Sequence, residues 1–350
     1  MPPIRHLWFE KEKTMKHGYS KSICHLRHMM SVCALVLALV LSPVIIKADD
    51  GEGFKVKRLE FSVSLSDGNT YTIAGFLYYH GSFRNRPLQV LVHGGTYNHK
   101  YWDAPSINGQ RYSYARFMAE EGYALLAIDQ LGAGESSKPS GDFVTLNETT
   151  LSIHQVLAQM RSGNNPLGYA FRQIVLVGHS FGSINSIFVQ GTYHDADALV
   201  VTALGHVPHE LPIPPELIIQ LAQFPYFPLP AEARSALFYN ANAADPDVIA
   251  NDNLNLADLL TRGQLFTTFA AVFNPEADRV GSVTGPVLVQ LGEHDALWPS
   301  LYASGEAAYW TNASRVTVQS LPIVGHAFNT HLDNKTGWRS INRWIRSILP

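Results

Sequence analysis

The sequence predicts an α/β domain, a sheet covered by helices on both faces, and three observations carry that prediction. From Lys55 onward, strand-like and helix-like segments alternate along the chain. Several of the strand-like segments, such as Leu88–Val92 (apolar but for Gln89) and Ile174–Val177, are short and apolar, as expected of strands buried on both faces. The alternation breaks once, from about Pro208 to Gly285, in a long stretch rich in Pro, Leu, Phe and Ala whose patterns are helical. At 350 residues and 46% hydrophobic the chain can bury a full core, and α/β folds of this size commonly form one domain.

Taken in order, the first 48 residues stand apart from this pattern. Scattered basic residues (Arg5, Lys11, Lys13, Lys16, Lys21, Arg27) precede an apolar run from Met29 to Ile46, which ends at Lys47-Ala48-Asp49-Asp50. Residues 1–48 therefore read as a cleaved secretory signal or, because residues 29–46 approach the length that spans a bilayer, as an uncleaved membrane anchor. Met15 and Met29 are alternative start residues. Both cysteines, Cys24 and Cys33, lie in this leader, so a processed chain is expected to have no disulfide and no thiolate chemistry. Three Asn-X-Ser/Thr sequons, at Asn147, Asn312 and Asn334, are candidate glycosylation sites and favour a secretory route.

Beyond the leader, Val56–Leu65 alternates and stops at the turn pair Asp67-Gly68, and Tyr71–Tyr79 is its hairpin partner. Strands are expected at Leu88–Val92, Tyr123–Ile128, Gln173–Val177, Ala198–Ala203, Val287–Leu291 and Val316–Leu321. Helices are expected at Tyr112–Glu121, Glu148–Met160, Ser183–Gln190, Ala303–Trp310 and Trp338–Leu349. The interrupting stretch carries helical patterns at Pro215–Gln223, Ala231–Phe238, Ala257–Leu260 and Leu265–Phe273, and reads as a lid over a pocket. This divides the chain into a leader (1–48), a first core segment (49–207), a helical cap (208–285) and a second core segment (286–350).

The chemistry centres on Gly178-His179-Ser180-Phe181-Gly182, wedged between the strand ending at Val177 and the helix starting near Ser183. A strand turning this sharply into a helix exposes the serine hydroxyl at a strained apex, with a helix N-terminus beneath it, and glycines on either side relieve collisions. A serine needs a base to take its proton. His326 follows the last expected strand, whereas His179 reads as a packing residue beside the nucleophile, and His93, His154, His206 and His294 have no comparable placement. The loop after Leu291 offers two carboxylates, Asp295 as the first choice to orient His326 and Glu293 as the second. An oxyanion needs two backbone N–H donors. Phe181 supplies one, and Gly95 or Thr96, in His93-Gly94-Gly95-Thr96-Tyr97, supplies the other. Tyr97, His99, Tyr101 and Trp102 crowd that loop, and Tyr97 and Trp102, with Phe266, Phe269 and Trp298, are candidate pocket residues. The glycines of Asp129-Gln130-Leu131-Gly132-Ala133-Gly134 read as a turn, since neither the Gly-Lys-Ser/Thr ending of a phosphate loop nor a third glycine opening a helix is there.

With these motifs in order, the chain from about Lys55 to Ile348 resembles the α/β-hydrolase superfamily. The resemblance implies eight mostly parallel strands, a cap inserted after the sixth, and a Ser180–His326–Asp295 triad. A serine at the elbow sets the chain apart from the epoxide hydrolases and dehalogenases of that superfamily, which carry Asp there. The leader and sequons are similar to those of secreted or vesicular fungal hydrolases. The expectation is cleavage of a carboxylic ester or lactone through an acyl-serine intermediate. Alternatives are acyl transfer, ring closure or thioester cleavage in small-molecule biosynthesis, and non-catalytic ligand binding on the same fold. No metal or organic cofactor is required. The cap rings Phe224, Tyr226, Phe227, Phe238, Phe266, Phe269 and Phe273 suggest a hydrophobic small-molecule partner. A formal net charge of -3 with 16% charged residues offers no basic face to nucleic acid, and membrane association rests on the N-terminal apolar segment alone.

Overall fold

The computed structural model describes residues 53–349, Phe273 excepted. The leader over residues 1–48, with its cysteines and its signal or anchor reading, lies outside the described residues, as does the Phe273 ring. No helix among the described residues is long and apolar enough to cross a membrane.

Eight strands form the central sheet: β1 (Phe54–Ser64), β2 (Thr70–His80), β3 (Leu88–Val92), β4 (Ala124–Ile128), β5 (Ile174–His179), β6 (Ala198–Thr202), β7 (Pro286–Gly292) and β8 (Arg315–Leu321). Their spatial order is β1-β2-β4-β3-β5-β6-β7-β8. Only the pairings of β2 with β1 and with β4 are antiparallel, and every pairing from β4 to β8 is parallel. The composition follows the position: every residue of β3, β4, β5 and β6 is buried, while β1 at one edge alternates. The β1–β2 turn works as the Asp67-Gly68 pair suggests, with Gly68 at φ 79° and the Asp67 carboxylate accepting from the Asn69 N–H at 2.9 Å.

The helices begin with α1 (Tyr114–Glu120), α2 (Leu146–Ser162) and α3 (Phe181–Tyr193), and the chain closes with α8 (Asn334–Ile348). α2 packs on α3, and α8 packs on α1 and β7. Between β6 and β7 lie α4 (Pro215–Leu221), α5 (Ala231–Phe238), α6 (Pro246–Asn251) and α7 (Arg262–Val272).

Two expected helices differ. Residues Ala257–Leu260 leave a π-helical turn and enter a short strand, Leu259–Thr261, paired antiparallel with Tyr226–Pro228. Tertiary contacts override the local pattern there, because Leu260 is buried with Phe227 and Leu265, and the Asp258 carboxylate binds Asn98 and the Gly134 N–H. Ala303–Trp310 is broken into a single turn at Ala303–Glu306 and a 3₁₀ turn, with the weak helix former Gly305 inside it. α6 is an addition, started by Asp245 as N-cap with Pro246 in the first turn.

Candidate active site

β5 ends at His179 and α3 begins at Phe181, which leaves Ser180 alone to make the turn. Its backbone sits at φ 52°, ψ −121°, a costly conformation for a residue with a Cβ. Glycines make the turn possible. A Cβ on Gly178 would lie 2.5 Å from Ser183 Cα, and one on Gly182 would overlap the carbonyl oxygens of Val92 and His93. From β6, the Thr202 carbonyl accepts both the Ser180 N–H and the Ser183 hydroxyl at 2.9 Å, and the Thr202 hydroxyl donates to the Gly178 carbonyl at 2.8 Å. The strained residue is thus fastened on both sides.

The loop after β8 carries His326 and the loop after β7 carries Asp295. Both are buried, and Nδ1 of the imidazole lies 2.9 and 3.0 Å from the two carboxylate oxygens. Asp295 Oδ1 also accepts the N–H groups of Leu297 and Trp298 at 2.8 and 3.0 Å, which fix the carboxylate independently of the histidine. With Nδ1–H donated to Asp295, Nε2 is left to accept a proton. The ring packs against Phe238, Trp298 and His179, the neighbour of Ser180, at centroid distances of 5.3, 5.9 and 5.2 Å. Glu293, the other carboxylate of that loop, is exposed and accepts the Ile323 N–H at 3.0 Å, so Asp295 alone meets the imidazole.

His179 stacks on Tyr101 at 4.4 Å, fully buried, and burial holds its pKa well below the ordinary histidine value, so it stays neutral. The Asp129 loop is a structural turn: its buried carboxylate accepts the N–H groups of His99 and Glu135 at 2.7 and 2.8 Å.

Ser180 opens into a cavity of about 660 Å³, a volume that includes its open mouth. Gly95, Thr96 and Phe181 stand in its wall beside the serine, and Phe181 heads α3, where N–H groups lack helical acceptors. The remaining wall is aliphatic or aromatic throughout, with Leu217, Ile218, Phe227, Leu237, Phe238, Leu260, Leu265 and Phe269 from the β6–β7 insertion and Trp298 from the core.

The structure separates the candidate pocket residues. Phe269 and Trp298 line the wall, and Phe269 meets Phe181 edge-on at 5.6 Å. Phe266 does not line it: one position from Leu265 on α7 it turns to solvent and is 50% exposed. Tyr97 and Trp102 also lie outside the wall. Tyr97 is buried behind it with its hydroxyl on Asp252 at 3.0 Å, and Trp102 is packed between Tyr101 and Tyr114. Among the sequons, Asn147 and Asn312 are exposed, but Asn334 is corrected. It is 3% exposed, and its amide nitrogen donates to the carbonyls of Arg111 and Asn329 at 3.0 and 2.9 Å, which leaves no room for a glycan.

The sequence did not reveal a buried network formed by Arg234, Asp252 and Tyr239 with Thr96, or a buried cluster of His206, Asp278 and Glu306. The available signal was the presence of charged residues in an otherwise apolar insertion.

Residues 89–334 match the model of the Alpha/beta hydrolase family. A curated relative, norfluorocurarine synthase 1 from a Strychnos species, is 23% identical over 188 residues. The match covers 49% of this chain and 64% of that protein, just under two thirds of the relative's length. Among solved structures, an esterase from Thermogutta terrifontis superposes with a TM-score of 0.56 at 17% identity, covering 84% of this chain and 100% of the other. A monoacylglycerol lipase from Paleococcus ferrophilus gives 0.57 at 17% identity, over 84% and 99%. A bromoperoxidase from Bacillus anthracis gives 0.58 at 16% identity, over 83% and 99%, so these likenesses speak for the fold alone.

Proposed function

This chain belongs to the alpha/beta hydrolase family, and we propose that within it the protein is a serine hydrolase that cleaves a carboxylic ester or lactone of a hydrophobic small molecule. The observation that carries the proposal is the opening of Ser180, at its strained elbow, into an apolar cavity walled by the same Phe238 and Trp298 that pack on the Asp295-bound His326.

In this reading Ser180 Oγ attacks the carbonyl carbon as His326 Nε2 takes the hydroxyl proton. The negative oxygen of the tetrahedral intermediate is held by the N–H of Phe181 and that of Gly95 or Thr96. Collapse breaks the bond to the leaving oxygen, which receives the proton from His326 and departs as an alcohol. In a lactone it stays tethered. His326 then takes a proton from water, whose oxygen attacks the acyl-serine, and a carboxylic acid leaves as Ser180 regains its proton. Asp295 holds the imidazole tautomer and offsets its transient positive charge. The aliphatic and aromatic wall favours an uncharged acyl or alkyl group over a charged one, since it offers no ionic partner.

A second reading, acyl transfer or ring closure, draws support from the relative named a synthase. The same steps then end on an alcohol or a carbon nucleophile in place of water. The leader and the exposed sequons at Asn147 and Asn312 support a secreted or membrane-anchored glycoprotein.

A fluorophosphonate probe tests the main reading, with aryl esters of increasing acyl length as substrates. The expected result is label on Ser180, lost in Ser180→Ala, with turnover that favours apolar acyl chains. Label on another serine, or ester turnover that survives Ser180→Ala, would overturn it.

A further inference from the structure

Thr96, in the loop that borders Ser180, has φ 61°, in the left-handed region where a β-branched residue is a strained outlier. Two donors hold it there, and both come from the β6–β7 insertion. The Thr96 carbonyl accepts the Asp258 N–H at 2.9 Å and Arg234 Nη1 at 3.0 Å, and the same Nη1 reaches the Thr96 hydroxyl at 2.6 Å. Arg234 projects from α5 and is 1% exposed. Its Nη2 donates to Asp252 Oδ1 at 2.8 Å, and Asp252 Oδ2 accepts the hydroxyls of Tyr97 and Tyr239 at 3.0 and 2.9 Å. The guanidinium also lies 4.6 Å from the Tyr97 ring centre and 5.1 Å from that of Phe238.

Removing an arginine and a carboxylate from water costs several kcal/mol per ion, which their mutual attraction offsets only with good geometry and further hydrogen bonds. An apolar packing would close the same gap without that cost. What the ionic network adds is direction, because a planar guanidinium constrains every acceptor it meets. Here the acceptors include both oxygens of the one strained residue in the Gly95–Thr96 pair. We propose that Arg234 is a positioning residue, which holds Thr96 in its left-handed conformation so that the Gly95–Thr96 backbone presents an N–H to the oxyanion formed on Ser180. The proposal rests on the serine hydrolase reading for its catalytic consequence. Its structural half, that Arg234 orders residues 93–98, stands independently. The insertion then completes the catalytic machinery in addition to walling the cavity.

The test compares wild type, Arg234→Met, Arg234→Lys and Thr96→Val by aryl-ester kinetics, with hydrogen exchange on peptides spanning residues 93–98 and thermal unfolding to establish folding. Arg234→Met is expected to lower kcat by about 10²-fold, the scale for losing an oxyanion donor, with KM changed less than about threefold. Exchange in 93–98 should quicken while that around Asp295 and His326 stays unchanged. Arg234→Lys should recover part of kcat. Should Arg234→Met fail to fold, Thr96→Val removes only the hydroxyl acceptor and should still lower kcat at unchanged KM. Unchanged kcat in a folded variant, a loss carried by KM alone, or unchanged exchange in 93–98 would each overturn the proposal. A wild type that neither turns over esters nor labels at Ser180 would defeat the hydrolase reading instead, and the exchange result would then decide on Arg234 alone.

Discussion

Replacing His206 by Asn should change how stability depends on pH, by an amount the structure sets. His206 stands just beyond β6, at the start of the insertion, and Asp278 stands near its end. His206 Nδ1 lies 2.6 Å from Glu306 Oε1, the His206 backbone N–H donates to Glu306 Oε2 at 2.6 Å, and Trp310 Nε1 donates to Glu306 Oε1 at 2.9 Å. Nε2 lies 3.0 Å from Asp278 Oδ2, in an ionic contact that is off the axis of a well-aligned hydrogen bond. The rings of Tyr309 and Trp310 enclose the imidazole, each at 5.5 Å. Burial alone would lower the pKa of His206, but the charge of Glu306 and the contacts with both carboxylates outweigh it and push the value to about 9. Against an unfolded value of ~6.5, at ~1.4 kcal/mol per pH unit, the gap corresponds to ~3 kcal/mol. The folded chain binds this proton more tightly than the unfolded chain. The contribution is therefore complete below about pH 6.5 and is lost as pH rises through about 9. Urea unfolding of wild type and His206→Asn across that window should show their stability difference shrinking by ~3 kcal/mol. A difference that stays constant from about pH 6.5 to 9 would refute the reasoning.

Two further outcomes separate neighbouring residues. Asp295→Asn should lower kcat by about 10⁴-fold, as neutralising a triad aspartate does, whereas exposed Glu293→Gln should change it less than about tenfold, and steady-state kinetics showing the reverse ranking would move the acid. Phe269→Ala should shift kcat/KM ratios across an ester chain-length series by ~1–3 kcal/mol, the worth of a hydrophobic pocket contact. Phe266→Ala should leave those ratios alone and alter stability by no more than ~0.5 kcal/mol.

The parallel sheet was legible because Leu88–Val92, Ala124–Ile128 and Ala198–Thr202 are buried on both faces, and complete burial leaves a nearly unbroken apolar run in the chain, with Gln89 and Thr202 the polar exceptions. The geometry of Ser180 was legible for a related reason. Gly178 and Gly182 lie where backbone from another segment approaches too closely for a side chain, so the constraint is written at the position itself. The insertion was harder to read. Leu259–Thr261 has a helix-compatible composition, and only its pairing with Tyr226–Pro228, more than thirty positions away, makes it a strand. Phe266 and Phe269 are indistinguishable by residue type, and the helical phase that turns one outward depends on where α7 begins. Arg234 and Asp252 are 18 positions apart, and nothing local announces that they meet. Tyr97 and Trp102 were placed in the correct loop, but their side chains point into the core behind it.

His326 sits in the loop after β8, the last strand of the sheet, 31 positions beyond Asp295. A chain cut short after Asp295 would keep Ser180 and its flanking glycines and lose the imidazole that Asp295 holds. The parallel pairing of β8 with β7 brings the imidazole to a carboxylate that the N–H groups of Leu297 and Trp298 also hold. β8 is an edge strand of the sheet, so fraying of that one margin would part the imidazole from its carboxylate and leave Ser180 and its elbow in place.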